Sequence, residues 1–103
     1  MKRKVRNKKG KGIKFEREVK KYLEEAGYFV VRQAASSFPD LIVVARNGRV
    51  YAYECKVNGK ISKREKEKLK ELYEKYQIYP MLAYKSKGQI CLKWLLDPFK
   101  YGL

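Results

Sequence analysis

The segment Asp40–Val57, DLIVVARNGRVYAYECKV, constrains the fold of this chain more than any other stretch. Leu41–Ala45 is a continuous apolar run, the pattern of a central strand covered on both faces. Asn47-Gly48 is a strong hairpin signal, because both residue types tolerate positive φ. Arg49–Val57 then returns as the partner strand. Residues two apart on a strand share a face, so Glu54 and Lys56 point one way and Cys55 the other. A carboxylate near the middle of a small sheet loses hydration, which is costly unless it is paired or bound to a cation. Asp40, at the start of the first strand, raises the same question. A plain Glu54–Lys56 ion pair on an exposed face is the bland answer.

Register discriminates between the answers. A two-residue loop pairs positions whose numbers sum to 95, which sets Asp40 opposite Cys55 and on the wrong face. A three-residue loop at 47–49 makes the sum 96, which sets Asp40 opposite Lys56 and Ile42 opposite Glu54. The two carboxylates then share a face. A three-residue loop or an equivalent bulge is the expectation.

The remaining elements follow from periodicity. Phe15, Val19, Tyr22, Leu23 and Ala26 mark one face of a helix over 14–26, stopped by Gly27. Tyr28–Gln33 reads as a strand and 34–39 as a loop. Ser62 and Glu65 form a capping box that opens a second helix, with Leu69, Leu72, Tyr73 and Tyr76 as its buried stripe. Strands at 79–85 and 89–96 close the chain. The order αβββαββ predicts one α/β domain, a mixed central sheet flanked by helices. Residues 1–12 read as a flexible basic arm and 13–103 as the domain proper. Tyr22, Tyr51, Tyr53, Tyr73 and Tyr76 sit at core-like spacing, so packing rather than base stacking is expected of them. The last strand, apolar on both faces and followed by Phe99, is a candidate dimer surface together with the second helix.

Charge points to the partner. The chain has 26 Lys and Arg against 11 Asp and Glu, a net charge of +15 that opposes compaction unless a polyanion is bound. Nucleic acid is the natural polyanion, since neutralised phosphates release counterions. Lys2, Arg3, Lys4, Arg6, Lys8, Lys9 and Lys11 stand in the arm without a single acid, a run with no structural use of its own. No apolar run is long enough for a membrane span, and no apolar stretch follows the first charges as a signal peptide needs, so a cytoplasmic location is expected. Histidine is absent, which excludes imidazole bases and ligands. Cys55 and Cys91 have no Cys or His nearby, which excludes a zinc site; both read as reduced core residues. Catalysis, if any, rests on carboxylates, lysines and metal. Most acids lie on the two helices as solvated partners of lysines. Asp40 and Glu54 do not, and Glu16 borders the buried stripe of the first helix. Three carboxylates converging in so basic a chain would suit a hard cation such as Mg²⁺.

Pro39-Asp40, thirteen residues, then Glu54-Cys55-Lys56 resembles the PD-(D/E)xK nuclease signature. The segment Gly12–Glu18 and the following Tyr28–Ser36 are similar to the archaeal-type Holliday junction resolvases over about residues 10–85. That resemblance implies a restriction-endonuclease-like fold and a Mg²⁺-dependent endonuclease, with Mn²⁺ as a substitute, that resolves four-way DNA junctions by paired symmetric cuts as a homodimer. It implies metal ligation by Glu16, Asp40, Glu54 and the Cys55 carbonyl, with Lys56 as catalytic lysine. Ser36 or Ser37 matches a loop serine near the phosphate, and Arg17 and Arg32 match basic residues that contact DNA. The family often has Gln early in the second helix, where Glu65 or a neighbour stands here. A virus-type replication-repair nuclease acting on flaps or other branched DNA is the nearest alternative. A non-catalytic basic nucleic-acid-binding protein is the alternative from another class, and it leaves Asp40, Glu54 and Lys56 unexplained.

Overall fold

The helical periodicity before Gly27 and the strand-like periodicity of residues 28–57 meet on one face of a five-stranded sheet. The computed structural model describes residues 2–33, 38–97 and 100, with side chains described from Gly12 onward. The elements are α1 (Lys2–Glu25), β1 (Phe29–Arg32), β2 (Leu41–Val44), β3 (Val50–Cys55), α2 (Lys63–Tyr76), β4 (Tyr79–Ser86) and β5 (Gln89–Trp94). The predicted order αβββαββ is the observed one. The strands lie in chain order. β1–β2, β2–β3 and β4–β5 are antiparallel, while β3 and β4 run parallel because α2 carries the chain between them.

α1 buries Phe15, Val19 and Leu23, spaced at helical intervals, against Val30, Leu41, Val43, Tyr53, Cys55, Met81 and Ala83. On β3 and β4 the alternate residues face away from that core. These are Ala52, Glu54, Pro80 and Leu82, all buried, and α2 packs on β4 with Leu69 buried. Both faces of β3 and β4 are therefore covered, while on β2, read from its unbroken apolar run as covered on both faces, Leu41 and Val43 are buried and Ile42 and Val44 only half buried. α2 begins with the expected capping box: Ser62 accepts from the Glu65 N–H, and Glu65 reaches back to the Ser62 N–H.

Residues 2–12, expected as the greater part of a flexible arm over 1–12, lie within α1. Lys and Arg are good helix formers, and Gly10 and Gly12 weaken a helix without ending it once the 13–25 segment has nucleated it. Tyr22 and Tyr76 are exposed rather than buried, since each lies at the rim of its helix stripe, while Tyr53 is buried. Cys91 is only half buried, because β5 is an edge strand with much of its surface open. Phe99 lies outside the described residues. No helix among the described residues is long and apolar enough to cross a membrane.

The β2–β3 register is the finding that positions the site. The observed pairs, Leu41–Tyr53 through Val44–Val50, have numbers summing to 94. The loop has three residues as expected, but at 46–48 instead of 47–49. The Ala45 N–H bonds the Arg49 carbonyl at 2.8 Å and the Gly48 N–H bonds the Ala45 carbonyl at 2.9 Å. Gly48 has φ +89°, so the glycine itself takes the left-handed corner that closes such a loop. Sums of 94 and 96 have the same parity. One step past Leu41–Tyr53, the ladder sets Asp40 against Glu54, on a common face.

Candidate active site

Asp40 and Glu54 are tied to each other through the backbone at the open end of the β2–β3 ladder. The Asp40 N–H donates to Glu54 Oε2 at 3.1 Å, and the Cys55 N–H donates to Asp40 Oδ2 at 2.8 Å. Each acid thus accepts from a peptide group beside the other, which fixes both carboxylates without a cation. Glu54 is only 3% exposed, so the exposed ion pair considered from sequence does not describe it. Lys56, two residues on and on the same face, brings its Nζ to 3.8 Å from Glu54 Oε1. Its shorter contact, 2.9 Å, is to Glu65 Oε2 on α2.

The electrostatics follow from burial and crowding of like charge. Burial, then the negative charge of Asp40, pushes Glu54 from an ordinary 4.5 up to about 7. Asp40 is raised chiefly by burial, against the Cys55 N–H bond and the Lys56 charge that favour its ionised form. Burial pulls Lys56 down, but the bond to Glu65 and the charges of Glu65, Glu54 and Asp40 outweigh it, and the net shift is upward. For Glu65 burial is likewise outweighed, by Lys56 and the cap bonds to Ser62, and its carboxyl is lowered. The Cys55 thiol points to the opposite face, where burial pushes it up and keeps it protonated.

Glu16 arrives from α1. Its Oε1 accepts from Arg32 Nη1 at 3.2 Å, a pair formed because α1 and Arg32 of β1 meet on the same side. Burial and then the Asp40 charge raise its carboxyl, against Arg32 and Lys56, so Glu16 stands within electrostatic reach of the other two acids. Among the described residues no group of three His, Cys, Asp or Glu side chains is gathered closely enough to hold a metal. Glu16 is engaged by Arg32 instead.

The other expected residues divide. Arg32 is half buried and paired with Glu16. Arg17 is exposed beside Lys14 and Lys21 along a shallow groove on α1. Lys2, Arg3, Lys4, Arg6, Lys8, Lys9 and Lys11 lie on the N-terminal turns of α1, their side chains outside the description. Ser36 and Ser37 lie outside the described residues. Sequence reasoning missed Glu65 as the nearest partner of Lys56. The signal was present, since a capping glutamate nine residues after Lys56 has a second oxygen to offer.

Asp40 and Glu54 offer the hard oxygens that divalent cations of the Mg²⁺ type take. Two desolvated carboxylates, with the ionisation of Glu54 further opposed by the charge of Asp40, are also a site that a dication relieves. The donor chemistry therefore fits a metal, with Lys56 placed to meet an anionic substrate beside it.

Comparison with known proteins bears on the same residues. The family model "Archaeal holliday junction resolvase (hjc)" matches residues 7–100, a span containing Glu16, Asp40, Glu54, Lys56 and Glu65. The crossover junction endodeoxyribonuclease Hjc of Methanocaldococcus jannaschii is 39% identical over 99 residues, covering 92% of this chain and 71% of that protein. The solved structure of Hjc from Archaeoglobus fulgidus, a Holliday junction resolvase from an archaeal hyperthermophile, superposes with a TM-score of 0.70. That match has 23% identity over 82% of this chain and 73% of the other, and it supports the fold. A match running almost from end to end, over a sheet that ends in paired acids and a lysine, leaves one conclusion: this chain belongs to the archaeal Holliday junction resolvase family.

Proposed function

We propose that the protein is a structure-selective endodeoxyribonuclease that resolves four-way DNA junctions by hydrolysing two symmetric phosphodiester bonds. The observation that carries this reading is the buried Glu54 held against Asp40, with the Lys56 ammonium 3.8 Å away, in a chain of the resolvase family. A non-catalytic DNA-binding module gains nothing from a 3%-exposed glutamate pushed up to about 7.

The reaction needs a divalent metal, and Mg²⁺, replaceable by Mn²⁺, is the proposed one. Asp40, Glu54 and the Cys55 carbonyl would hold it. When bound, such an ion supplies Lewis-acid stabilisation of the scissile phosphate and eases deprotonation of the attacking water. Lys56 stabilises negative charge that develops on the phosphate. Glu16, oriented by Arg32, positions water or a further cation at the edge of the site. Ser36 or Ser37 contacts the phosphate next to the cut. Arg17, Arg32 and the basic residues 2–11 engage the DNA backbone and set affinity more than sequence preference. The protein acts as a homodimer, since a junction of near two-fold symmetry needs two matched cuts. It works in the cytoplasm, where the chromosome lies.

The test is an end-labelled immobile four-way junction incubated with Mg²⁺ or EDTA, beside linear duplex, flap and single strand. Paired symmetric nicks confined to the junction are expected, lost in EDTA and in Asp40→Asn and Glu54→Ala. Cutting of flaps instead would place the chain with replication-repair nucleases. Binding of every substrate without cutting would overturn catalysis altogether.

A further inference from the structure

The Lys56 ammonium lies closer to a carboxylate outside the acidic pair than to the pair itself. Its distance to Glu65 Oε2 is 2.9 Å, against 3.8 Å to Glu54 Oε1. Glu65 sits in the first turn of α2, and its other oxygen, Oε1, accepts from the Ser62 N–H at 3.1 Å. Ser62 in turn accepts through Oγ from the Glu65 N–H, also at 3.1 Å. One oxygen thus completes a helix cap, and the cap holds the second oxygen in place for the lysine.

We infer that Glu65 is a positioning residue for the proposed nuclease reaction, acting through Lys56. The inference rests on the functional reading given above and deepens it. A capping box needs only Oε1. The contact from Oε2 adds nothing to the cap, and between side chains that are each about one-third exposed it adds little stability. Its consequence is geometric. A lysine has a flexible four-carbon stem and a compact charge, so the ammonium settles wherever the nearest fixed anion stands. Without Glu65 that anion is Glu54, with Asp40 behind it. The ammonium would then neutralise the carboxylates proposed to hold a cation and leave the place where an incoming phosphate needs it. With Glu65, the ammonium is drawn aside to a fixed oxygen, and Glu54 and Asp40 stay available.

A glutamine in place of Glu65 would keep the carbonyl that accepts from Ser62, but its amide would turn a donor toward a donor at Lys56. Glu65→Gln therefore separates the two duties, and Ser62→Ala separates them in the opposite direction.

The experiment measures thermal midpoint, junction affinity and single-turnover cleavage for the wild type, Glu65→Gln, Ser62→Ala, Lys56→Ala and the Lys56→Ala/Glu65→Gln double variant. Ser62→Ala should lower the midpoint by roughly 4–8 °C because the Oγ bond to the Glu65 N–H is lost, with cleavage near the wild-type rate because the backbone N–H of residue 62 still fixes Glu65 Oε1. Glu65→Gln should melt close to wild type and bind the junction equally well, yet cut on the order of ten- to a hundredfold more slowly. In the Lys56→Ala background the same change should have no further effect, because Glu65 acts through Lys56. Glu65→Gln cutting at the wild-type rate would overturn the inference. So would an equal loss in the Lys56→Ala background, which would mean that Glu65 acts directly. Failure of the wild-type chain to cut any junction would instead overturn the functional reading on which the inference stands.

Discussion

Glu54 couples the site to the stability of the fold. Its folded pKa of about 7 lies above the ordinary 4.5, so between those values the folded chain binds more protons than the unfolded one. The stabilisation this brings is complete below pH 4.5 and is lost as pH rises through 7. In EDTA, Glu54→Gln should therefore match wild type near pH 4.5 and exceed it at pH 8, by about 2–3 kcal/mol in urea unfolding. A difference that does not vary with pH would mean that Glu54 is ionised throughout. Mg²⁺ at pH 8 should raise the midpoint of wild type and leave Glu54→Gln nearly unmoved, since the dication relieves a charge that the variant lacks. At this scale the sequence was legible where chemistry was conspicuous. Asp40 and Glu54 stood out because few acids fall outside the helices. Glu65 did not, because a capping glutamate among helix-face lysines already has a sufficient explanation, and its second oxygen meets Lys56 only through tertiary packing. The Glu16–Arg32 pair was hidden for the same reason, since it joins residues of α1 and β1.

The hairpin shows how an element can be right in parity and wrong by one position. Asn-Gly announces a tight turn, but residue type alone does not say which residue takes the left-handed corner. Gly48 takes it, with φ +89°, so the loop is 46–48 and the two acids still share a face. A Cβ at Gly48 would meet nothing within 4 Å, so the cost of replacing it is backbone strain alone. Gly48→Val should lose roughly 1–2 kcal/mol in urea unfolding and, if the register is kept, retain cleavage. Loss of cleavage with stability unchanged would mean that the register had slipped. The extension of α1 through residues 2–12 was missed because charge masks helix propensity: a run of lysines reads as solvated chain until a neighbouring helix nucleates it. We propose that this extension serves DNA affinity rather than chemistry. Deleting residues 2–9 should flatten the dependence of log affinity on log salt, by about 0.9 for each phosphate no longer neutralised, with the rate at saturating junction unchanged.

At the scale of the whole molecule, two demands meet: a charge of +15 that favours a phosphate-rich partner, and apolar surface that the single chain leaves open. Order and fold class were legible because both come from local periodicity and from burial that one chain can complete. The surface that we propose for a second copy was only partly legible. A buried stripe and an intermolecular stripe look alike in sequence, and Tyr76 was read as core for that reason. It is 64% exposed at the end of α2, beyond the cluster in which Tyr73 packs on Tyr79 and Tyr79 on Trp94. We propose that this large ring, left open beside packed aromatic rings, makes a symmetric contact in which a residue near the axis meets its own copy. Tyr76→Glu should set two carboxylates against each other there while disturbing little within the chain. Light scattering should give twice the chain mass for wild type and a single chain mass for the variant. On a supercoiled plasmid that extrudes a cruciform, wild type should produce linear DNA through paired cuts. The variant should accumulate nicked circles, because each monomer keeps Asp40, Glu54 and Lys56 but cuts without its partner. Linear product from a protein shown to be monomeric would mean that one chain makes both cuts in turn, and the dimer would lose its functional argument.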